Sequence, residues 1–211
     1  YNRKKNTLVL QTKSFYFFII FVSAVLSLTT NFGNSRLLEP LLFLQTNISV
    51  GYPSFENTFL NYNQWWRLIT PTFLHFSGTH LIFNCLWIYI LGSRIEKIDG
   101  QLIFISLFFI SASASNIGQY FWTGDYLFGG LSGAIYGLLG YCFILDLDQR
   151  GQRYALPNTL YIFMFIWLLV GFTGILSFFG FGMIANIAHL AGLFCGFTLG
   201  FLIRLFKGNI L

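Results

Sequence analysis

Six apolar segments, separated by short polar or charged stretches, constrain the fold of this 211-residue chain more than any other feature. Charged residues make up only 9% of the sequence, whereas about 25% is usual in soluble domains. The composition therefore argues against a soluble globular fold, and we predict an all-α, polytopic membrane protein with six transmembrane helices. The predicted helices cover residues 14–30, 78–91, 101–121, 132–145, 160–179 and 184–206.

The chain length predicts one compact helical bundle, so we interpret residues 1–211 as a single membrane domain. Segment 31–75 joins the first two helices and is interrupted by three prolines. It also carries Trp65 and Trp66, and such aromatic rings settle at the membrane interface. We therefore expect this segment to lie along the outer membrane surface rather than to cross the bilayer.

Basic residues lie mostly on one side of the predicted topology. With the N-terminus inside, the outer segments contain only Arg36 and Arg67. The inner segments contain ten cations, namely Arg3, Lys4, Lys5, Lys13, Arg94, Lys97, Arg150, Arg153, Arg204 and Lys207. This positive-inside bias predicts a cytoplasmic N-terminus. It also accounts for the formal charge of +5 without nucleic acid as a partner.

The fourth predicted helix is too short to cross a bilayer. It runs from Ser132 to Leu145, where Asp146 and Asp148 follow, and rises roughly 21 Å against a hydrocarbon core of about 30 Å. With Asp146 at the inner surface, the Ser132 hydroxyl lies about 9 Å below the outer surface. A glycine-rich loop precedes it, and non-helical backbone is tolerated at such depth only beside protein or water. We therefore predict a water-filled cavity, open to the outer face, with Ser132 at its floor.

Polar side chains at the outer ends of three predicted helices converge on this region. His80 and Asn84 are four residues apart and share one face of the second helix. His189 lies early in the sixth helix, and His75 precedes the second. Each residue alone is readily explained as a hydrogen-bonded packing residue, although ionisable groups within a span are functional candidates. Their combination with Ser132 favours a functional site.

Small residues predict how closely the fourth and sixth helices approach. Such residues, at a spacing of three or four, let transmembrane helices pack backbone against backbone. They are Gly133, Gly137 and Gly140 on the fourth helix and Ala188, Gly192, Gly196 and Gly200 on the sixth. Close packing of these two strips would bring the His189 imidazole within hydrogen-bonding reach of the Ser132 hydroxyl.

A serine hydroxyl beside an imidazole is an activated nucleophile. His189 can take the Ser132 proton and later return it to a leaving amine, while Tyr136, one turn below Ser132, can pack against the imidazole. Nothing in the sequence places Asp125 against His189, and Asp146 lies roughly 20 Å away by helical rise. We therefore predict a dyad rather than a triad.

The tetrahedral oxyanion of such a reaction needs hydrogen-bond donors. The sequence offers three candidates, which are the Asn84 amide, the Ser132 backbone N–H and His80. The three cysteines, in contrast, all fall within apolar segments, and we interpret them as packing residues rather than as disulfides or metal ligands. They are Cys85, Cys142 and Cys195.

Three motifs occur in order on the second, fourth and sixth helices. They are His80-Leu81-Ile82-Phe83-Asn84, Gly130-Leu131-Ser132-Gly133 and Ala188-His189-Leu190-Ala191-Gly192-Leu193-Phe194-Cys195-Gly196. The set resembles the HxxxN, GxSG and AHxxGxxxG motifs of rhomboid intramembrane serine proteases, most closely the bacterial six-helix type. Trp66-Arg67 and Glu96 match further family features, whereas Pro71 departs from members that carry a histidine there, outside the dyad.

The resemblance implies Ser132 as the nucleophile, His189 as the base, and Asn84 with His80 around the oxyanion. We expect Gly130 and Leu131 to border the same oxyanion and substrate position. The supporting residues are Tyr136, Gly133, Gly192, Gly196 and His75. The family also implies cleavage of transmembrane protein substrates near the outer face of a bacterial inner membrane, without a metal or another cofactor.

Two alternatives belong to other functional classes. A catalytically silent rhomboid relative would bind or escort membrane proteins, but such relatives usually lack the serine or the histidine, and both residues remain here. A small transporter would bind solute at polar groups near the midplane, but the chain shows no second pseudo-symmetric half with a broken helix. Labelling of Ser132 by a serine-reactive probe separates these readings.

Overall fold

The computed structural model describes residues 14–46, 52–147, 153–182 and 184–208. Within these ranges the regular secondary structure is entirely helical. Six α-helices, numbered in chain order, make up most of it. They are α1 (Phe15–Thr29), α2 (Gly78–Asp99), α3 (Gln101–Thr123), α4 (Ser132–Asp146), α5 (Asn158–Gly171) and α6 (Asn186–Gly208).

Helix α2 extends past the predicted end at residue 91, as far as Asp99. Charged residues end the apolar stretch there but do not end the helix. One of them, Glu96, accepts hydrogen bonds from the backbone N–H groups of Phe15 at 2.7 Å and Tyr16 at 3.1 Å. Because the first N–H groups of a helix lack intrahelical partners, Glu96 caps α1 and joins it to α2.

Helix α5 is shorter than the predicted segment 160–179, and the prediction of one continuous helix there is wrong. The α-helix ends at Gly171, and a separate 3₁₀ helix covers Ile175–Phe179. Between them Gly174 has a φ of 74°, which only glycine adopts at little cost. The side chain of Asn186 then donates to the Gly171 carbonyl at 3.0 Å, so the start of α6 satisfies the end of α5.

The segment between α1 and α2 has irregular structure that is organised by one buried cation. Arg67 is only 5% exposed, and its Nη1 donates to the backbone carbonyls of Glu39 and Leu42 at 2.8 and 2.7 Å. Desolvation by burial lowers the pKa of this guanidinium from its ordinary value. The segment contains 3₁₀ helices at Arg36–Leu41, Trp65–Leu68 and Thr70–Phe73 and a π-helix at Glu56–Asn61.

Helix α4 lies at the centre of the bundle, because 11 of its 15 residues are buried. It packs most extensively against α6 and then against α3. A Cβ atom placed on Gly192 or Gly196 would overlap the backbone carbonyl of Gly133 or Gly137, respectively. The predicted backbone-to-backbone packing of the two glycine strips is therefore present, and it depends on the absence of side chains at these positions.

The helix ends opposite Ser132 are joined by a polar cluster. Asp99, at the end of α2, accepts hydrogen bonds from the hydroxyls of Tyr154 at 2.6 Å and Tyr141 at 3.2 Å. It also forms an ion pair with Arg153. The C-terminal ends of α2 and α4 therefore lie together. Several residues used in the charge and helix-end predictions fall outside the described ranges, namely Arg3, Lys4, Lys5, Lys13, Asp148, Arg150 and the side chain of Lys207.

Two of the described helices, Gln101–Thr123 and Asn186–Phe206, are long and apolar enough by themselves to cross a membrane. Shorter apolar helices are Phe15–Thr29, Ser132–Asp146 and Asn158–Gly171. Large apolar side chains also cover the outer surface of the bundle, including Ile82, Leu102, Leu169 and Phe194. Many exposed large apolar side chains are typical of a surface that faces a partner or lipid.

Candidate active site

The side chains of Ser132 and His189 form a hydrogen bond. Ser132 is the first residue of α4, His189 lies in the first turn of α6, and the distance from Ser132 Oγ to His189 Nε2 is 2.7 Å. The ring of Tyr136 packs on the imidazole with a centroid distance of 4.8 Å. Its hydroxyl donates to the Met164 carbonyl at 2.9 Å, which fixes the ring from the α5 side. The structure therefore brings the three residues together.

The start of α6 is held by a residue that the sequence analysis missed. Gln119 on α3 accepts a hydrogen bond from the backbone N–H of Ala188 at 3.0 Å. Farther down α3, Ser115 and Ser111 pack against the Cα positions of Gly133 and Gly137. Ser111, Ser115 and Gln119 recur every four residues, so their helical spacing was the signal that α3 presents a small polar face to α4 and α6.

Among the described residues, no carboxylate contacts His189, and its Nδ1 is buried without a hydrogen-bond partner. Asp125 lies exposed in the connection between α3 and α4. Asp146 lies at the far end of α4, where its carboxylate accepts from the Tyr161 hydroxyl at 2.6 Å. The geometry therefore contains a serine–histidine pair without an acidic third member in the described part of the chain.

The glycine loop before α4 packs tightly under the first turn of α2. Gly130 has a φ of 124°, and its N–H donates to the carbonyl of Pro71 at 3.1 Å. A Cβ atom at Gly130 would lie 2.8 Å from the His80 ring. Leu131 is fully buried. Both the conformation and the close approach therefore require glycine immediately before the Leu131-Ser132 pair, and Pro71 supplies a backbone acceptor to this loop.

His80 and Asn84 lie beside this loop on the same face of α2. The N-terminus of α2 is capped by the Ser77 hydroxyl, which accepts from the His80 N–H at 3.2 Å. The Asn84 side-chain nitrogen is 3.5 Å from the position of a Cβ on Gly130. This nitrogen is buried and has no partner among the described residues. It is thus a donor available to a group that enters the site.

A narrow cavity connects these groups. Its polar lining residues include Ser132, His189, His80 and Asn84. The remaining lining residues are mostly aromatic or aliphatic, namely Phe83, Trp87, Ile135, Tyr136, Met164, Trp167, Phe181 and Ile184. A few polar groups converging on an apolar cavity are typical of a ligand or substrate site.

His75 lies next to His80 but is not among the residues that line the cavity. It is 1% exposed, and its Nδ1 is 3.3 Å from the Phe73 carbonyl oxygen and 3.4 Å from Ser27 Oγ. Desolvation by burial, with the neighbouring His80 as the second cause, lowers the pKa of His75 well below the ordinary value of 6.5. His75 is therefore neutral near pH 7, and its ring centroid lies 5.0 Å from that of His80.

Comparison with known proteins shows the family of this chain. The family model described as "Rhomboid domain" matches residues 62–206. The chain belongs to the rhomboid family. As a rhomboid with long apolar helices, it is an integral membrane protein. The matched region contains Asn84, Ser132 and His189 together with all three predicted motifs.

Curated relatives of this rhomboid include bacterial proteins called "Rhomboid protease GlpG". The protein from Serratia proteamaculans (strain 568) is 40% identical over 140 residues, covering 66% of this chain and 49% of the relative. The proteins from Pectobacterium atrosepticum and Yersinia pestis (strain Pestoides F) are each 38% identical over 140 residues. These alignments cover 65% and 66% of this chain and 48% and 49% of the relatives. The chain thus spans about half the length of the curated relatives it matches.

Proposed function

We propose that this rhomboid is a serine endopeptidase that hydrolyses peptide bonds of transmembrane protein substrates. The observation that carries the proposal is the 2.7 Å hydrogen bond between Ser132 Oγ and His189 Nε2 at the edge of the cavity. The similarity to proteins named as rhomboid proteases supports the same reaction class. No cofactor is needed for this chemistry, because the hydroxyl and the imidazole supply the nucleophile and the base.

In the proposed mechanism Ser132 attacks the scissile carbonyl carbon while His189 Nε2 takes the hydroxyl proton. The carbonyl oxygen becomes the oxyanion, and the imidazolium then protonates the leaving amine to release the first product. Water attacks the acyl-serine with His189 again as base, and the serine is restored. The Tyr136 ring limits rotation of the imidazole by packing on it at 4.8 Å.

Oxyanion stabilisation is assigned to groups on α2 and at the start of α4. The unpaired Asn84 side-chain nitrogen and the Ser132 backbone N–H are donors, and His80 adds a third through Nε2. Gly130 and Leu131 border the same position. Donors that are already oriented before the reaction cost little reorganisation when the charge develops.

The proposal includes six transmembrane helices in one membrane domain, with a cytoplasmic N-terminus and a cavity open to the outer face of the inner membrane. Helix α4 has 15 residues and rises only about 22 Å, which leaves Ser132 below the surface of a core about 30 Å thick. The grouping of Arg94 and Arg153 at the opposite end from Ser132 supports this orientation.

Two variants and a serine-reactive fluorophosphonate probe test the proposal. The purified parent should be labelled and should cleave a model transmembrane substrate. Ser132→Ala should abolish both, and His189→Ala should abolish cleavage, while both variants remain folded. The double variant should have the same residual activity as either single variant, since the two side chains act as a unit.

Ser93→Ala provides a matched control, because the Ser93 hydroxyl donates to its own helix at Ile90, away from the cavity. This variant should keep labelling and cleavage. Appreciable cleavage by purified Ser132→Ala would overturn the mechanism. A parent that binds membrane proteins without labelling or cleavage would instead identify the chain as a catalytically silent member of the family.

A further inference from the structure

Three buried polar side chains form a line from α1 toward the cavity. Ser27, His75 and His80 are 0%, 1% and 8% exposed, respectively. The Ser27 hydroxyl donates to the Ser23 carbonyl at 2.7 Å and lies 3.4 Å from His75 Nδ1. The centroids of the His75 and His80 rings lie 5.0 Å apart, and the Cε1 and Nε2 atoms of His80 border Gly130.

The neighbours of His75 determine which of its nitrogens carries the proton. Its Nδ1 faces the Phe73 carbonyl, which can only accept, and the Ser27 oxygen, whose single proton is already donated to Ser23. Two acceptors around Nδ1 require an N–H there. Since a neutral imidazole carries one N–H, Nε2 of His75 is an acceptor.

The Nδ1 nitrogen of His80 has the same need for a partner. His75 Nε2 and His80 Nδ1 are both buried, and neither has a hydrogen-bond partner among the described residues. An unpaired buried polar atom costs about 1–3 kcal/mol. Buried waters commonly satisfy such groups when two or more polar partners lie within reach.

We propose that His75 positions His80 through one buried water, which donates one proton to His75 Nε2 and the other to His80 Nδ1. His80 then carries its own proton on Nε2, the edge that borders Gly130 and the cavity. This inference rests on the proposed function, in which His80 Nε2 faces the oxyanion. His75 thereby sets the tautomer of an oxyanion donor without touching substrate.

The alternative orientation of the water is less favourable for two reasons. A water that accepts from His80 Nδ1 and donates to His75 leaves its second O–H without a partner. It also places the lone pair of His80 Nε2 toward the oxyanion, where it would repel the developing negative charge. The double-donor arrangement avoids both costs.

The test is a measurement of histidine tautomers in the resting protein. The chain contains three histidines, so selective ¹⁵N labelling gives three imidazole spin systems, which His80→Gln and His189→Gln assign. We expect Nδ1–H on His75 and Nε2–H on His80. The wild-type spectrum with Nδ1–H on His80 would overturn the inference, whether or not the chain cleaves a substrate.

Two variants at position 75 test the link to catalysis. His75→Phe keeps a ring but removes both nitrogens, so His80 should become a mixture of tautomers. Its kcat should fall at least about tenfold, toward the 10²–10³-fold loss of one whole oxyanion donor, with KM nearly unchanged. His75→Gln keeps a polar acceptor and should retain Nε2–H on His80 and most of the turnover.

The variant results have distinct meanings. Unchanged His80 tautomers and kcat in folded His75→Phe would overturn the inference. If that variant does not fold, the wild-type spectrum still decides it, since this measurement needs no substitution at position 75. Failure of the proposed function would appear separately, as cleavage that persists in Ser132→Ala or is absent from the parent.

Discussion

Two buried asparagines in this molecule have opposite hydrogen-bonding environments. Asn116 on α3 donates to the Leu68 carbonyl at 2.9 Å and to the Thr72 hydroxyl at 3.0 Å, so its amide holds the segment before α2 in place. Asn84 is equally buried, but its side-chain nitrogen has no partner among the described residues. The same side chain therefore has a structural use at one position and an available donor at the other.

Asn84→Ala should lower kcat by about 10²–10³-fold, the usual loss for one oxyanion donor. Its KM and melting temperature should change little, because no hydrogen bond from the Asn84 nitrogen is lost in the resting protein. Substrate kinetics and thermal unfolding measure the two effects. A fall in melting temperature with unchanged turnover of the folded fraction would make Asn84 structural.

Asn116→Ala is the matched control for that experiment. It removes the donor to two acceptors, so we expect a loss of about 1–3 kcal/mol in the free energy of unfolding. The turnover of the folded molecules should stay near that of the parent. Equal losses of stability in both variants would contradict the distinction between the two asparagines.

The acidic residues provide another residue-scale prediction. Asp125→Asn should leave cleavage and melting temperature near the parent values, because Asp125 is exposed and lies away from His189. Asp146→Asn should lower the melting temperature by weakening the bond from Tyr161, while the folded fraction retains turnover. A loss of several orders of magnitude in kcat for either variant, with folding intact, would reveal a catalytic triad.

The serine–histidine pairing was predictable because local patterns determine it. Glycine spacing on two helices predicted their close approach. The positions of Ser132 and His189 along these helices predicted that the two side chains meet at the same end of the contact. The role of Gln119 was harder to foresee, since its acceptor contact with the Ala188 N–H depends on how α3 packs on α6. The unpaired state of Asn84 is likewise a property of the packed molecule rather than of its motif.

At the scale of helices, the contact between α4 and α6 is made of backbone. Gly196→Ala adds one methyl group that would overlap the Gly137 carbonyl. The helices must separate to accept it, and overpacking of this kind costs about 1–3 kcal/mol. We expect a lower melting temperature together with reduced cleavage, because the same contact sets the distance between Ser132 and His189.

Gly78→Ala offers a control of the same chemical change. A Cβ atom at Gly78 meets no atom within 4 Å, so melting temperature and cleavage should both stay near those of the parent. Wild-type stability and activity in Gly196→Ala would mean that α4 and α6 tolerate separation. The glycine contact would then have no role in placing the pair.

Helix boundaries were predictable where polarity and backbone conformation change at the same residue. The start of α4 at Ser132 is such a place, because a glycine loop precedes it. The end of α5 is not, because mostly apolar residues continue from Gly171 through Phe179 while the helix stops. The segment before α2 was least predictable, since Arg67 holds it together through carbonyls far away in sequence.

At the scale of the whole molecule, cysteine labelling at one position on each proposed side of the membrane tests the orientation. Asp125 lies in the connection between α3 and α4, Leu147 follows α4, and both residues are exposed. The two test variants are Asp125→Cys and Leu147→Cys. In intact cells, a membrane-impermeant maleimide should label the first variant and spare the second until the membrane is permeabilised. The parent, with its cysteines inside helices, is the background control. The reverse labelling pattern would contradict the cytoplasmic N-terminus.

The hydrogen-bonded pair at the cavity joins residues that are 57 positions apart, with the hydroxyl on α4 and the imidazole on α6. A ribosome therefore completes α4 and α5 before it adds His189 to the chain. During that interval the serine is present in the membrane without a partner to accept its proton. Under the proposed mechanism, the order of synthesis thus keeps the growing chain inactive until α6 has inserted and packed against α4.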